Sequence, residues 1–268
     1  MHLSVGRALA RLSLALTFVL VLNFGAAAIA RPDGDRERAA AGLEAAIAAL
    51  GGPKYLAIKS AVARGVFTSF NQGQATFPVD FVDTFVYPDR NRTDFGKKKS
   101  RVVQSNTKDG GWKYDGARET LTAQDADEVH QFALYVRANI DNILRGGWRA
   151  EGVQLHYIGR TDIAPRVWAE GVSVEYPDGF KVDLFFDPQT HLPVASRYHI
   201  GAESGAAGSL VETRYHVFLD FDGVKVPRTV DLYKDQVQTA RLVYDTVDFN
   251  TPIDPKFFDQ PASAKALK

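Results

Sequence analysis

The chain has 268 residues, with 32 basic and 32 acidic side chains and no cysteine. The balanced charge argues against nucleic acid as a partner, because phosphate binding needs a basic surface. The lack of cysteine excludes a disulfide framework, thiolate metal sites and lipid attachment at an N-terminal cysteine. The length is sufficient for one all-β or α+β domain.

Residues 1–30 have the pattern of a cleavable signal peptide. Two arginines precede an apolar run at residues 12–24, and a small-x-small motif ends at Ala30. The apolar run is shorter than the roughly 20 residues that a transmembrane helix needs, and polar sequence follows it, so we expect cleavage rather than a retained membrane anchor. The exported product would be a single domain over residues 31–268, with 30 basic and 32 acidic side chains and a net charge of −2.

The first predicted elements after the signal peptide are two helices. Residues 38–50 carry a helical stripe of leucine and isoleucine, and the Gly51-Gly52 pair is a stop signal. A short second helix is predicted at 53–58, because proline is well tolerated at a first helical position.

Five strand patterns follow, and the second of them is apolar on both faces. Phe81, Phe85 and Tyr87 share one face, which is interrupted by Asp83, and two valines lie on the other face. Neither face looks simply solvated, which favours a curved sheet with an apolar guest on its concave side. The predicted strands occupy residues 61–70, 76–87, 90–95, 99–107 and 111–115.

The longest helix is predicted to begin at Thr122. Thr122 and Asp125 have the spacing of a capping box, with Asp in place of the usual Glu or Gln. Apolar side chains follow at spacings of three and four residues, and Gly146-Gly147 end the helix. We expect this helix to pack across the sheet and cover one opening. Its stripe consists of Val129, Phe132, Val136, Ile140 and Ile143.

The second half is predicted to be almost entirely strand. Asp178-Gly179 and Asp222-Gly223 each join two alternating segments, which is typical of two-residue hairpins. The loop at 201–209 is rich in Gly, Ala and Ser and is predicted to be a mobile hairpin tip. The predicted strands occupy residues 153–160, 165–176, 180–187, 192–200, 210–221, 224–233 and 236–248. One of their faces is predicted to carry Val211, Tyr215, Val217, Leu219 and Phe221.

The predicted fold class is mainly β (α+β), a curved antiparallel sheet forming an unclosed barrel with helices covering the mouth. A dozen strands are too many for a flat open sheet, so the sheet should curl. A closed eight-stranded barrel is the alternative, but it would expose fewer helices.

Several short segments form an ordered series from about residue 40 to residue 261. They are 50–52 (LGG), 58–60 (IKS), 87–92 (YPDRNR), 109–112 (DGGW), 186–193 (FDPQTHLP), 220–227 (DFDGVKVP) and 253–258 (IDPKFF). In order and spacing, this series resembles the periplasmic lipoprotein-carrier superfamily of LolA- and LolB-like proteins.

The resemblance implies an unclosed β-barrel with helices over its mouth and an apolar cavity for acyl chains, in a Gram-negative-type periplasm. It also aligns Arg92 with the polar gate at the family's cavity mouth, and a solvated strand arginine is the alternative. Aromatic and apolar side chains are candidates for the cavity wall, although core packing would explain them equally well. The predicted lipid-binding residues are Phe67, Phe81, Phe85, Arg92, Trp112, Phe132, Tyr135 and Val136.

No catalytic site, metal site or cofactor is predicted. The histidines show no metal-ligand spacing. Ser204 lies in a G-x-x-S-G sequence, which misses the nucleophile-elbow spacing by one residue. Asp220 and Asp222 could be paired carboxylates, but both precede a hairpin glycine and turn formation explains them.

The functional interpretation is a monomeric, periplasmic lipid- or lipoprotein-binding protein that holds acyl chains for envelope trafficking. One alternative is an envelope sensor or scaffold that binds a protein partner with the same fold, and a hydrolase is a further alternative. The basic cluster of Lys97, Lys98, Lys99 and Arg101 is either a solvated loop or a contact for anionic lipid headgroups at a membrane surface.

Overall fold

One large antiparallel sheet dominates the architecture. The computed structural model describes residues 32–201 and 208–267. The helices are α1 (Pro32–Leu50), α2 (Pro53–Leu56), α3 (Ala126–Ala138) and α4 (Ile140–Leu144). The strands are β1 (Ser60–Asn71), β2 (Gln74–Ala75), β3 (Val79–Val86), β4 (Arg90–Phe95), β5 (Val102–Thr107), β6 (Gly110–Asp115), β7 (Thr120–Ala123), β8 (Gln154–Ala164), β9 (Val167–Glu175), β10 (Lys181–Phe186), β11 (Pro193–Ile200), β12 (Ser209–Phe221), β13 (Val224–Lys234) and β14 (Val237–Phe249). The predicted signal peptide and most of the predicted tip at 201–209 lie outside the described residues, so both stay predictions.

The sheet is open, and all its neighbouring strands are antiparallel. The order is β7-β6-β5-β4-β3-β1-β14-β13-β12-β11-β10-β9-β8, with β2 added beside β1. Within the described part of the chain, β7 and β8 form two unpaired edges, so the sheet does not close into a barrel. The first long strand, β1, pairs with the last, β14, and joins the two halves of the sheet. The predicted unclosed, mainly β architecture is confirmed, and the closed eight-stranded alternative is wrong.

Both predicted hairpins are present, but only Asp222-Gly223 forms the predicted two-residue turn. Asp178-Gly179 lies in a longer loop, closed by a hydrogen bond of 2.8 Å from the Tyr176 N–H to the Phe180 carbonyl oxygen. Asp178-Gly179 connects β9 to β10, and Asp222-Gly223 connects β12 to β13. Asp222 has φ 53° and Gly223 has φ 83°. Positive φ at both central residues matches the twist of the flanking strands, which is why Asp-Gly is favoured in such turns.

The seam between β1 and β14 depends on a glycine. A Cβ atom at Gly65 would lie 2.0 Å from the carbonyl oxygen of Val243. The register of the pair shifts between Arg64 and Gly65, which bends the strand locally. Only a residue without a side chain allows the two backbones to approach this closely.

The alternation along β12 is interrupted at Val217. This residue has φ 52°, in the left-handed region, and 63% of its surface is exposed. Leu219 is also exposed, whereas Phe218 takes the place in the cavity wall that simple alternation would give to Val217. The predicted continuous face from Val211 to Phe221 is therefore broken in its middle.

The N-terminal helix is longer than predicted. α1 begins at Pro32 rather than at residue 38, and proline is compatible with the first helical turn. The helix packs against β8, β9 and β13. Its buried stripe confirms the predicted one and consists of Ala39, Leu43, Ala46, Ile47 and Leu50. Within residues 32–201 and 208–267, none of the helices combines the length and apolar content that a bilayer crossing requires.

The start of α3 differs from the prediction. Asp125 is the N-cap, and its side chain accepts a hydrogen bond of 2.9 Å from the backbone N–H of Glu128. The Glu128 side chain accepts one of 3.1 Å from the Asp125 N–H, which completes a capping box. The predicted box at Thr122 is wrong, because Thr122 lies in the edge strand β7 and pairs there with Lys113.

The predicted long helix is divided in two at Asn139. This residue has an extended backbone, with φ −63° and ψ 121°, and separates α3 from α4. Its side chain accepts a hydrogen bond of 3.1 Å from the backbone N–H of Asn142 and caps α4. Ile140 and Ile143 are consequently buried on α4 instead of continuing the stripe of α3.

The C-terminal segment covers the outer face of the N-terminal strands. The carbonyl oxygen of Phe258 accepts hydrogen bonds from Trp112 Nε1 at 2.8 Å and from Ser105 Oγ at 3.0 Å. Val103, Trp112, Tyr114 and Leu267 form a small core here. This core is separate from the larger one between α1, α4 and the C-terminal strands.

Candidate ligand cavity

A cavity of about 480 Å³ lies between the middle of the sheet and the helices. One wall comes from β1, β3 and β11 to β14, and the other comes from residues of all four helices. The volume is within the range of roughly 300–1,000 Å³ that is usual for small-molecule sites. The wall is mostly apolar and includes Ala61, Ala63, Phe85, Val230, Leu242 and Val247. The hollow that the sequence predicted is therefore present.

Two of the predicted lipid-binding residues line this cavity. Phe85 contributes from β3, and Tyr135 contributes from α3. Phe85 stacks on Tyr87, with 6.0 Å between the ring centroids, and Tyr87 is also part of the wall. A role of these side chains in lipid binding stays a prediction.

Four further predicted residues lie close to the wall but do not form it. Phe67 and Phe81 pack on Phe95, with centroid distances of 4.9 and 6.4 Å. Phe132 stacks on Tyr135 at 6.0 Å, and the carbonyl oxygen of Val136 accepts a hydrogen bond from Asn142. Phe81 also packs on Tyr244 of the wall, with 5.5 Å between the ring centroids.

Arg92 and Trp112 lie on the outer face of the sheet. Arg92 pairs with Asp94 at 3.0 Å and donates a hydrogen bond of 2.9 Å to the carbonyl oxygen of Phe257. Its guanidinium also lies 5.2 Å from the Trp112 ring centroid. Arg92 is buried, so it is neither a solvated strand arginine nor part of the cavity wall. Its contacts attach the C-terminal segment to β4.

Side chains of the C-terminal strands also form part of the wall, and none of them was predicted to bind lipid. Tyr215 on β12, Val230 on β13 and Tyr244 on β14 all line the cavity. The apolar alternation of β12 predicts a buried face, but it does not show that this face borders a cavity. The position of these strands beside β1 follows from the pairing of β1 with β14, which no local pattern reveals.

A polar cluster holds α4 against α2 at one side of the cavity. Asp141 accepts hydrogen bonds from the hydroxyl groups of Tyr55 at 2.7 Å and Tyr87 at 3.3 Å. Arg145 donates to the carbonyl oxygen of Ile58 at 2.6 Å. Its guanidinium lies 4.3 Å from the Tyr55 centroid and 4.5 Å from the Tyr87 centroid, a cation–π arrangement. Burial, followed by the charge of Asp141, raises the pKa of both tyrosines, so they remain hydrogen-bond donors.

A second polar group, Asp83, lies in the sheet wall. Its Oδ1 accepts hydrogen bonds from Asn91 Nδ2 at 2.8 Å and Thr93 Oγ1 at 2.6 Å. Burial raises the pKa of this carboxyl to about 6, and the two hydrogen bonds only partly oppose the shift.

Side-chain amides connect Asp83 and its partners to the start of α3. Asn106 Nδ2 donates to Asn91 Oδ1 at 3.3 Å, and Gln124 Nε2 donates to Asn106 Oδ1 at 2.6 Å. Gln124 immediately precedes the N-cap of α3. A Cβ atom at Gly111 would lie 2.2 Å from Gln124 Oε1, so this glycine leaves the space that the amide occupies.

The described residues contain no group of three His, Cys, Asp or Glu side chains that could hold a metal ion. Asp220 Oδ1 accepts a hydrogen bond of 2.7 Å from the Gly223 N–H, as expected of a turn residue. The acids in the cavity wall are Asp83 and Asp141. Asp141 accepts hydrogen bonds from Tyr55 and Tyr87, whereas Asp83 accepts them from Asn91 and Thr93. The charge of Asp141 is not among the causes that shift the pKa of Asp83.

Comparison with protein-family models gives no match, and comparison with curated proteins gives none either. Solved structures do match. A putative outer membrane lipoprotein-sorting protein domain from Vibrio parahaemolyticus has 12% identity and a TM-score of 0.51, over 82% of this chain and 97% of that one. A LolA superfamily protein from Nitrosomonas europaea has 12% identity and a TM-score of 0.53, over 82% and 96%. This chain has the LolA-superfamily fold. A DUF1329 family protein from Desulfovibrio piger shares this LolA-like fold, with 10% identity and a TM-score of 0.55 over 86% of this chain and 99% of that one.

Proposed function

We propose that this protein is a periplasmic binding protein that holds the acyl chain of a lipid or lipoprotein in the cavity of its LolA-like half-barrel. The observation that carries the proposal is the largely apolar cavity of about 480 Å³ between sheet and helices. The match to a lipoprotein-sorting domain and to a LolA superfamily protein supports it. The role would be transport within the cell envelope and would involve no catalytic step.

The energetics of such binding need only apolar surface. Burial of each methylene group contributes about 0.8 kcal/mol, so a chain of about fourteen carbons gains roughly 11 kcal/mol before ordering costs. A cavity lined by Phe85, Leu242 and Val247 can supply this without a metal or a covalent bond. Movement of the helices that form the other wall would allow release.

One end of the sheet has the composition of a membrane contact. Phe77 is 94% exposed in the segment that precedes β3. The turn between β4 and β5 is attached to the start of β3, because the Gly96 N–H donates to the Asp80 carbonyl oxygen at 2.8 Å. Lys98 and Lys99 are exposed in the same turn. An exposed aromatic ring and exposed basic side chains on neighbouring segments favour contact with an anionic lipid surface, at about 1 kcal/mol per basic residue.

The test is a cavity-filling substitution with a matched control on the same strand. Ala63 lines the cavity, and Val62 points to the other face of β1. We expect Ala63→Phe to weaken the binding of a fluorescent fourteen-carbon acyl probe about tenfold or more, because the new ring occupies the guest's volume. Val62→Phe should leave the affinity within about twofold. Equal affinities of the two variants would contradict the proposal, provided that circular dichroism shows both folded.

A further inference from the structure

Asp83 is unusual among the acids of the cavity wall. Only 5% of its surface is exposed, and Oδ1 takes both hydrogen bonds, from Asn91 and Thr93. Oδ2 accepts none from any residue that the structure describes, and it is not sealed from the cavity. Asp141 differs, because the guanidinium of Arg145 lies 3.8 Å away and balances its charge. Across residues 32–201 and 208–267, no basic side chain pairs with Asp83.

Two tyrosines of the cavity wall, Tyr244 and Tyr135, are subject to the charge of this carboxyl. Burial, followed by the charge of Asp83, raises the pKa of Tyr244 on β14. The pKa of Tyr135 on α3 is raised by the same two causes, although 38% of its surface is exposed. Both hydroxyl groups therefore stay protonated. The Tyr135 hydroxyl already accepts a hydrogen bond of 3.0 Å from Asn139 Nδ2. The result is a polar spot in an apolar cavity, with one carboxyl oxygen available to a ligand.

We propose that Asp83 anchors the guest by accepting, at Oδ2, a hydrogen bond from a hydroxyl or ammonium group of an amphiphilic lipid. This rests on the proposed function, since it concerns the guest of the same cavity. A buried carboxylate without a cation is costly unless a donor reaches it, so a guest with a donor recovers part of that cost. An anionic polar end would instead meet a like charge at short range. The cavity therefore selects amphiphiles whose polar end donates and carries no net negative charge.

Three single-chain probes of equal length test this selectivity. They are a fourteen-carbon alcohol, the corresponding alkylammonium and the corresponding carboxylate, each used below its micelle concentration. Because the hydrocarbon contribution is the same, differences in affinity report the polar end. At pH 7.5 we expect the wild type to bind the alcohol and the ammonium about tenfold more tightly than the carboxylate. The ratio of ammonium to alcohol separates charge from hydrogen bonding.

The substitution Asp83→Asn gives the sharpest test. The amide oxygen can keep the hydrogen bonds from Asn91 and Thr93, which places the amide nitrogen where Oδ2 faced the cavity. The cavity-facing atom thus changes from an acceptor to a donor. We expect the preference to reverse, with the carboxylate probe binding about tenfold more tightly than in the wild type. Asp80→Asn, an exposed acid on the same strand, should leave the order unchanged.

The outcomes separate the two proposals. If the wild type binds all three probes equally, or if Asp80→Asn shifts the order as much as Asp83→Asn, the anchor is wrong and the lipid-binding function stands. If no probe binds, both are wrong. If circular dichroism shows that Asp83→Asn does not fold, the order of affinities in the wild type still decides the matter.

Discussion

At the scale of single residues, Asp83 links the stability of the fold to pH. Burial raises its pKa from 3.8 to about 6 in the folded protein. Below pH 3.8 the carboxyl is protonated in both the folded and the unfolded chain, so its burial does not lower the free energy of unfolding through ionisation. Between pH 3.8 and about 6 the folded chain retains the proton better, so the contribution of Asp83 to stability falls as the pH rises. Above pH 6 the carboxylate is ionised in both states, and its burial lowers the free energy of unfolding by about 3 kcal/mol, at 1.36 kcal/mol per pKa unit.

Replacement of this carboxyl by an amide should remove the pH dependence. We expect Asp83→Asn to raise the free energy of unfolding at pH 7.5 by up to about 3 kcal/mol, with the gain disappearing towards pH 3.8. Urea unfolding across this pH range measures the difference, and Asp80→Asn serves as the exposed control. If the free energies of unfolding of the variant and the wild type differed by the same amount at all pH values, burial would not be shifting the pKa of Asp83.

Among single residues, Phe77 is the one on which the proposed membrane contact would depend most, because its ring is the most exposed large apolar side chain in the part of the chain that the structure describes. We expect Phe77→Ser to reduce binding to vesicles of anionic phospholipid by about tenfold, since burial of an aromatic side chain contributes roughly 1.5–3 kcal/mol. Co-sedimentation with vesicles measures it, and neutral phosphatidylcholine vesicles report the part due to charge. The fluorescent acyl probe should bind the variant normally. Unchanged sedimentation would assign Phe77 no role at a membrane.

At the scale of elements, the capping box fixes where α3 begins, and α3 contributes Tyr135 and Ala138 to the cavity wall. Asp125→Ala removes the acceptor for the Glu128 N–H and should cost about 1 kcal/mol of stability. Thr122→Ala is the informative comparison, because Thr122 would be the cap if the helix began there. We expect its cost to be smaller, and thermal unfolding measures both. A larger loss at Thr122 would place the helix start at the other residue.

The seam between β1 and β14 is the second element that carries the architecture. Gly65→Ala would bring a methyl group against the Val243 carbonyl oxygen, so we expect a loss of about 3 kcal/mol. The control is Gly42→Ala in α1, whose new methyl group would meet Val172 at an ordinary 3.5 Å. Alanine also favours a helix more than glycine does, so this variant should be at least as stable as the wild type. Equal effects of the two would contradict the close approach.

Local patterns predict the elements well and their arrangement only in part. β4 matches its predicted bounds, and both Asp-Gly turns were recognisable because the turn chemistry is local. The start of α3 was not predicted, because the short edge strand β7 uses Thr122 in pairing with β6. The outer location of Arg92 depends on the C-terminal segment that covers it, a contact remote in sequence.

At the scale of the whole molecule, the cavity results from how the sheet is joined. Because β1 pairs with β14, the first N-terminal strands and the last C-terminal ones share one concave wall. Phe85 was predicted for this wall from its own strand. Tyr244 and Leu242 could not be, because their strand reaches the cavity only through that pairing. The helices then close the other side without filling the space.

The most direct test of acyl-chain binding is native mass spectrometry of the protein purified from the cells that produce it, before and after extraction with organic solvent. The account predicts a population heavier than the protein alone by the mass of one lipid or acyl chain. Extraction should remove this mass, and Ala63→Phe should lack it. A protein that carries no adduct, and that binds no fourteen-carbon probe after extraction, would contradict the account.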